Sequence, residues 1–502
     1  MAKRYTVNIN RFDGGISEDK RVQAANKYSI TKHFDALTYP HKLVPFTKTQ
    51  ATDSENKTFN IVKFIYANSK LYGLGDVSGN PTRVQIYENG GLGSTDNWTT
   101  STNGAGSTAN KNTDVFFAYA VGATTYIYTL VNGDRVSKFD TSGGAFTDNE
   151  RAVTYTTTQI QAQPILHPSD NIAYFFADNV VHVNNAGSWS TGLTLPATQR
   201  IVSACAHGNY LALGCITLGT YDIRSTVYLW DRDSSLTTLS ERVDFGEGTL
   251  KHLFSLDNNL IGVVDFYSTP PLGNGDSKVG RVHIKQASGQ TAVILSSLTT
   301  DATGITGVIS NTKFVRDNIA YFPMAVRLNG DQRSGIWALK GNGLLTLAII
   351  EEELSTVNGT IQGIYATANI WWIAHSADGS VNRSSYTNSD YSSTNASTYE
   401  SLIFTGGDSS QTKKLVGVTV MTEPLVTSDQ VVLKYRKDEE TSWTTIFTTT
   451  TANSISHDAV NIESSGANLP QFNEIQFQIL STSGAVITGL RFDYEEIEDG
   501  LY

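Results

Sequence analysis

Cysteine is scarce in this 502-residue chain, which contains two cysteines and three methionines. Cys205 and Cys215 fall in strands that are predicted to pair, and two small buried side chains are the simplest interpretation of them. A disulfide or a metal-binding pair is the alternative. With so few thiols, the chain is expected to fold in a reducing cytosol rather than around disulfides.

Long apolar runs are absent as well. Because no stretch of about 18 apolar residues occurs, the sequence predicts no membrane span. The opening MAKRYTVNINRF lacks the apolar core of a secretory signal. Helical periodicity is rare, and only residues 197–204 and 351–357 could form a helical turn. Thr, Ser, Asn, Gly and Tyr are abundant beside an apolar fraction of 39%, which is typical of short strands joined by polar turns.

The sequence also lacks a catalytic constellation. The run Glu351-Glu352-Glu353 could supply two carboxylates for glycoside hydrolysis, but adjacent residues of a strand point to opposite faces, which favours a solvated charge run. Asp378, in SADGS, is interpreted as a turn former. The nine histidines show no zinc-binding spacing, and residues 231–235 and 273–277 match no complete calcium loop. With no nucleotide-binding glycine motif either, we expect no enzymatic activity, no metal and no cofactor.

The chain does contain a unit that returns seven times between residues 61 and 389. Each unit has an apolar strand, a polar turn, a second strand rich in aromatics and a third strand. Units of about 40–60 residues with several strands indicate a β-propeller, whose ring buries both faces of each unit. We therefore predict an all-β fold with about seven blades. The second strands are predicted to begin near Leu71, Tyr126, Ile172, Tyr210, Leu260, Ile319 and Ile370.

The two ends differ from the repeated units. Residues 1–60 are predicted to form an extended arm that lies on a neighbouring chain or another domain. Residues 390–502, whose boundary is marked by a polar linker at 387–398, are predicted to form an antiparallel β-sandwich of about seven strands. The propeller occupies 61–389 in this division. Five large apolar side chains are expected to anchor the arm: Phe34, Leu37, Tyr39, Leu43 and Phe46.

Charge is divided unevenly along the chain. The formal net charge is −11, and residues 391–502, with 15 Asp/Glu against 6 Lys/Arg, carry −9 of it. Residues 1–60 are basic, with 10 Lys/Arg against 6 Asp/Glu. Opposite charges on the two ends favour contacts between them or between neighbouring chains, and ordinary solvated surfaces are the alternative.

Both ends resemble parts of tailed-bacteriophage virion proteins. NINRFDGGISEDKR (8–21) and HFDALTYPHKLVPF (33–46) are similar to the start of many of these proteins, with a Phe-x-Gly-Gly-Ile/Leu turn, a charged stretch and Leu-x-Pro before the first blade. The segments from YESLIFTGG (399–407) to ITGLRFDYEEI (487–497) are similar to the closing sandwich of tail nozzle proteins, which include tail tubular B-like and packaged-DNA-stabilising proteins. The matching positions in the arm are Phe12, Gly14, Gly15, Ile16, Leu43 and Pro45.

The resemblance implies a structural protein of the phage tail that is assembled in the host cytoplasm. It would form a ring homo-oligomer, expected to be a hexamer, in contact with portal or adaptor and tail-tip proteins. Such a ring would extend the DNA channel, retain packaged DNA and permit its ejection, with genomic DNA passing non-specifically. Carboxylates that face the channel would repel phosphates, and solubility alone is the alternative explanation of the acidic end. The possible channel-facing acids are Asp438, Glu439, Glu440, Glu495, Glu496, Glu498 and Asp499.

Two other functions remain open. A tail-tip propeller that binds a receptor or a glycan would use aromatic side chains in loops, and Trp98 and Trp189 fit this role. Packing between blades is the alternative for both. A polysaccharide-degrading propeller would need a convergent acid pair, which the sequence does not offer. Trp371 and Trp372 fall in a predicted strand, so one ring should face each side of the sheet.

Overall fold

The computed structural model is all-β. No helix occurs among the residues that it describes, and the first stretch expected to allow a helical turn is instead a strand from Gln199 to His207, because it pairs with the following strand along its length. The second stretch, 351–357, lies outside the described residues. The described residues are 3–17, 19–21, 26–46, 61–77, 80–89, 98–100, 106–110, 112, 114–157, 160–217, 223–233, 239, 241–268, 279–301, 308, 312–328, 331–350, 360–366, 371–376, 396–460 and 469–497.

Short strands make up the described part of the arm. They are β1 (Arg4–Ile9), β2 (Ile30–Lys32), β3 (Phe34–Asp35) and β4 (Val44–Pro45). β3 and β4 pair with each other, whereas β1 and β2 pair with strands from the far end of the chain.

Successive antiparallel strand sets follow the arm. The first three sets are β5 (Lys63–Ala67), β6 (Lys70–Val77), β7 (Asn80–Asn89), β8 (Trp98–Thr100) and β9 (Gly106–Asn110); β10 (Phe117–Val121), β11 (Thr124–Val131), β12 (Arg135–Asp140) and β13 (Phe146–Ala152); and β14 (Ile165–His167), β15 (Ile172–Ala177), β16 (Val180–Asn185) and β17 (Ser188–Thr194). The fourth and fifth are β18 (Gln199–His207), β19 (Tyr210–Thr217), β20 (Arg224–Trp230) and β21 (Glu241–Glu247); and β22 (Thr249–Leu256), β23 (Asn259–Ser268), β24 (Val279–Ser288) and β25 (Thr291–Asp301). The sixth is β26 (Phe314–Arg316), β27 (Ile319–Leu328), β28 (Asp331–Lys340) and β29 (Leu345–Ile350), and the seventh is the hairpin β30 (Thr360–Ala366) and β31 (Trp371–Ser376).

Apolar clusters join each strand set to the next and close the series into a ring. One cluster combines Tyr72 of the first set with Phe139 of the second, and corresponding clusters continue through the remaining sets. The closing cluster packs Trp372 of the last set against Phe64 and Leu71 of the first. Each set therefore buries both faces against its neighbours, as the repeat pattern predicts.

The all-β fold and its propeller-like ring are confirmed by this strand pairing. All the second strands, including β15, β19 and β27, begin within two residues of their predicted starts. The count of seven complete blades stays a prediction, because residues 377–395 lie outside the described part of the chain. The domain boundaries also stay predictions.

The terminal unit consists of two antiparallel sheets that share one apolar core. One sheet has the order β1-β39-β33-β36, with β37 beside β33, and the other contains β32, β38, β34 and β35. Side chains such as Val418 from the first sheet and Phe477 from the second meet in the same cluster. The strands are β32 (Ser397–Glu400), β33 (Lys413–Thr422), β34 (Gln430–Lys437), β35 (Thr444–Thr449), β36 (Ser456–Val460), β37 (Gln471–Phe472), β38 (Ile475–Thr482) and β39 (Ile487–Glu496).

The arm joins the terminal unit to the ring. β1 pairs with β39 over its whole length, from Arg4 opposite Glu495 to Ile9 opposite Leu490. β2 lies between the two halves, antiparallel to β32 of the terminal unit and parallel to β29 of the sixth strand set. The described part of the arm thus lies on the terminal unit of the same chain, which is one of the two alternatives that the sequence left open.

The five expected arm anchors contact other parts of the same chain. Phe34 and Leu43 are 0% exposed in the core of the terminal unit, and Leu37 is 1% exposed in the cluster of the sixth and seventh sets. Phe46 packs edge-on against Trp371, with 6.1 Å between ring centroids. Tyr39 is the most exposed of the five side chains, at 43%. Contact with a neighbouring chain therefore stays a prediction chiefly for Tyr39, because the others bury their apolar surface within this chain.

Two glycines of the arm are required by their surroundings. A Cβ on Gly14 would lie 2.3 Å from the backbone carbon of Asn26, which is far inside van der Waals contact. Gly15 has a φ of +74°, a conformation that side chains with a Cβ rarely adopt. The next residue, Ile16, donates its backbone N–H to the carbonyl of Leu345 at 2.9 Å and so ties this turn to the ring.

Candidate functional site

A cleft of about 530 Å³ opens where the arm, the sixth strand set and the terminal unit meet, and we call it the junction cleft. Lys20 and Arg21 come from the arm, Arg333 from the ring and Trp443 from the terminal unit. Its complete lining is Lys20, Arg21, Ser29, Ile30, Leu328, Arg333, Glu400, Ile403, Arg436, Lys437, Asp438, Glu439, Glu440, Thr441, Trp443, Glu474, Ile475 and Gln476.

Ionisable side chains of both signs line the junction cleft in equal number. Five are basic and five are acidic, so the formal charge of the lining is zero. The arm base Arg21 lies 2.9 Å from the carboxylate of Glu474 and 3.8 Å from that of Glu439, which links the arm to the terminal unit across the cleft mouth.

An aromatic and guanidinium platform forms one wall of the cleft. The guanidinium carbon of Arg436 lies 4.5 Å from the ring centroid of Trp443. Arg436 Nε donates to Gln476 Oε1 at 2.8 Å, and Gln476 Nε2 donates to the carbonyl of Ser401 at 2.6 Å. Because Gln476 is 1% exposed, these bonds fix the orientation of the platform. Glu400 is oriented similarly, since its Oε1 accepts from Gln478 Nε2 at 2.9 Å.

Three of the predicted channel-facing acids lie in the turn beside this cleft. Asp438 has a structural task, because its Oδ1 accepts the backbone N–H groups of Asn473 at 2.7 Å and Glu474 at 3.0 Å. Glu439 and Glu440 are exposed at the turn. The turn thus contains one carboxylate that holds a loop and two that face solvent.

The other acids lie at the end of β39, beside the arm. Glu495 stands opposite Arg4 of β1 and Lys414 of β33, and Glu496 accepts from the Tyr5 hydroxyl at 3.2 Å. The last two predicted acids, Glu498 and Asp499, lie outside the described residues.

A buried lysine that the sequence did not indicate lies near both acidic groups. Lys413 is 0% exposed, and its Nζ donates to the carbonyls of Asp408 at 2.5 Å and Gln411 at 2.7 Å. Burial lowers the pKa of Lys413, and the carboxylates of Asp408, Glu496 and Asp438 oppose that shift. Asp438 and Glu496 are therefore brought to the same side of the terminal unit.

Two partly buried lysines bridge the inner strands of the ring. Lys313 Nζ donates to the carbonyls of Leu253 at 3.0 Å and Ala204 at 3.1 Å, which belong to the fifth and fourth sets. Lys63 of the first set donates to Thr312 Oγ1 at 3.0 Å. Burial lowers the pKa of each lysine to about 8. The first strands of neighbouring sets lie against one another, so these bonds cross the region around the ring axis.

The acids that the sequence offered for hydrolysis, Glu351, Glu352, Glu353 and Asp378, lie outside the described residues. Within the described ranges, no group of three or more His, Cys, Asp or Glu side chains could hold a metal ion. The same part of the chain has no helix long and apolar enough to cross a membrane.

Both cysteines are free. Cys215 is fully buried, as the sequence led us to expect, and Cys205 is partly buried. Burial raises the pKa of Cys205 to about 12 and raises that of Cys215 further. Neither thiol is therefore an activated nucleophile.

The tryptophans suggested by the sequence are mostly packing residues. Trp189 lies 6.1 Å from Tyr128 of the second set, centroid to centroid, which supports the inter-blade alternative. Trp371 and Trp372 are 5% and 2% exposed, and each packs into a different cluster on one side of the seventh set. The side chain of Trp98 lies outside the described residues. Sequence reasoning missed Trp443, whose only signal was its place after the acidic turn.

Comparison with known proteins identifies no family. No family model matches the chain, and no curated protein matches it. A solved glycoside hydrolase is 12% identical, with 88% of this chain and 99% of that chain covered at a TM-score of 0.28. Drosophila Semaphorin 2a is 8% identical, with 68% and 76% covered at 0.41. The Plexin A4 extracellular region is 7% identical, with 69% and 52% covered at 0.39. Similarities this weak support no inference about activity.

Proposed function

We propose that this protein is a structural component of a bacteriophage particle, namely a tail or neck nozzle ring protein. The observation that carries the proposal is the role of the arm motif in the fold. Phe12 is 0% exposed in the core of the terminal unit, and Leu43 forms a backbone bridge with Ile487. The residues that carry the resemblance are therefore the ones that join arm, ring and terminal unit.

In this role, the chain would assemble into a homo-oligomeric ring, expected to contain six copies. The ring would continue the DNA channel below the portal and adaptor, retain packaged DNA and release it on ejection. A net charge of −9 on residues 391–502 amounts to about −54 in six copies. Such a field would repel phosphates and keep DNA from adhering to the channel.

The conduit in this proposal runs between chains rather than through one strand ring. Lys313 and Lys63 connect inner strands from several sets across the ring axis. A duplex could not pass there without breaking these hydrogen bonds. We therefore assign the channel lining to the surface of the terminal unit, where Glu439 and Glu440 are exposed.

The proposal is tested in two steps. Mass spectrometry of purified particles should detect this chain, and a low-resolution particle map should show it as a ring on the tail axis. In the second step, Glu439→Lys with Glu440→Lys is introduced while Asp438, which holds the neighbouring loop, is retained. The altered protein should bind DNA in a salt-dependent way and slow genome release.

The matched control places two lysines on exposed acids of the ring, Asp231→Lys with Glu241→Lys. This pair changes the net charge equally, but it lies away from the terminal unit. Equal ejection kinetics for the native and Glu439/Glu440 particles would refute the conduit role of these acids. Absence of the chain from particles would refute the virion assignment itself.

A further inference from the structure

We propose that the junction cleft is a binding site for a neutral saccharide. This inference does not rest on the nozzle role, but the two proposals share one turn, because Glu439 and Glu440 also line the cleft. The first support is that the cleft is preformed. Its floor contains Ile30, Ile475 and Gln476, which are 2%, 0% and 1% exposed, and its volume of about 530 Å³ lies within the range of small-ligand sites.

The balance of charge in the lining favours an uncharged ligand. The lining has five basic and five acidic side chains. A charged ligand of either sign would therefore be repelled by as many side chains as attract it. A polyhydroxylated ligand differs, because each hydroxyl can donate to a carboxylate and accept from a guanidinium or amide. The lining therefore selects for many hydroxyls rather than for net charge.

The platform of Trp443 and Arg436 supplies the apolar surface that a sugar ring needs. Both groups are planar, and they lie 4.5 Å apart, with the guanidinium anchored to the buried amide of Gln476. A flat aromatic side chain can pack against the C–H face of a sugar while its N–H group bonds a hydroxyl. Such a preoriented platform loses little side-chain entropy on binding.

Two polar groups of the lining are held in place by hydrogen bonds. Glu400 is held by Gln478 at 2.9 Å, and Gln476 is held by Ser401 at 2.6 Å. The carboxylate of Glu400 can accept hydrogen bonds from ligand hydroxyls, whereas the amide of Gln476 is already engaged by Arg436 and Ser401 and serves to fix the platform. The platform and the polar groups of the lining are therefore suited to contact one or a few sugar rings.

The test uses the purified full-length protein and saturation-transfer NMR. The probes are maltotriose, cellotriose and tri-N-acetylchitotriose, with sialyllactose as the charged comparison. We expect saturation transfer to at least one neutral probe at millimolar concentration. Trp443→Ala and Glu400→Gln should each weaken that binding by about tenfold or more, the equivalent of one lost platform or one lost ionic hydrogen bond.

Tyr210→Ala is the matched control, because Tyr210 is an exposed aromatic on the ring, 38% exposed, outside the cleft. It should bind like the native protein. Glu400→Gln keeps the acceptor for Gln478, so this variant tests the site even if Trp443→Ala fails to fold. No transfer to any neutral probe, transfer to sialyllactose alone, or binding unchanged in both cleft variants would overturn the proposal. None of these outcomes bears on particle composition or ejection, so the nozzle role is judged separately.

Discussion

Truncation of Leu43 to alanine measures how strongly the arm holds the terminal unit. Leu43 is 0% exposed and lies in the core shared by the two terminal sheets. Its backbone N–H donates to the Ile487 carbonyl at 2.8 Å, and the Ile487 N–H donates back at 3.1 Å. Both bonds survive the substitution, so the loss comes from the side chain alone.

The expected cost follows from the atoms removed. Leu43→Ala deletes three carbons, and at about 0.8 kcal/mol for each buried CH₂ the transfer contribution is about 2.4 kcal/mol. The cavity left behind raises the cost to about 2.7–5 kcal/mol. Guanidinium unfolding followed by circular dichroism should show this decrease, and hydrogen exchange should accelerate in β39 before it does in β19.

Tyr39→Ala is the control, because Tyr39 belongs to the same arm but is 43% exposed. It should change the free energy of unfolding by no more than about 0.5 kcal/mol. A Leu43→Ala effect as small as this would show that the arm does not pack as described. An effect that depends on protein concentration would show instead that Leu43 is buried against another chain.

Three further predictions concern the ring, the arm turn and the cysteines. Lys313 has a pKa of about 8 in the folded chain and a higher pKa in the unfolded chain, so the unfolded chain binds more protons between pH 8 and 9.5. The free energy of unfolding should therefore rise with pH in this range, and Lys313→Met should reduce that slope by up to about 1.4 kcal/mol per pH unit in denaturation series run at each pH. Gly14→Ala should cost about 1–3 kcal/mol, because its Cβ would overlap the Asn26 backbone, and an unchanged melting temperature would contradict this. Cys205 and Cys215 should resist iodoacetamide at pH 8 in the native state, and rapid alkylation seen by mass spectrometry would contradict their burial.

The strand repeat was predictable from the sequence because its signals are local. A strand shows itself by apolar and aromatic residues, and a turn by Gly, Asn and Asp, within about ten residues. The second strands that start at Ile172, Tyr210 and Ile319 begin at the predicted residues. Turn residues such as Asn171 and Asn318 have positive φ values of 54° and 59°, a conformation that asparagine tolerates.

The role of the arm was not predictable in the same way. β1 pairs with β39 almost 490 positions later, and nothing in the sequence YTVNI identifies that partner. Its alternation of partly buried and exposed residues indicates a strand, but strand propensity does not specify which other strand it pairs with. The junction cleft was missed for the same reason, since Lys20, Arg333 and Trp443 are brought together only by the fold.

The paired ends of the chain change what the acidic terminal region can do. The surplus bases of the arm lie on the acids of that region, as between Arg4 and Asp493 at 3.0 Å and between Lys42 and Glu423 at 2.8 Å. Such surface pairs add little stability, about 0–1 kcal/mol each, but they cancel charge locally. A net charge counted over residues 391–502 therefore overstates the field that DNA would meet. If the terminal unit lines a conduit, the repulsion must come from carboxylates that the arm leaves exposed, such as Glu440, and the ejection experiment depends on that turn for this reason.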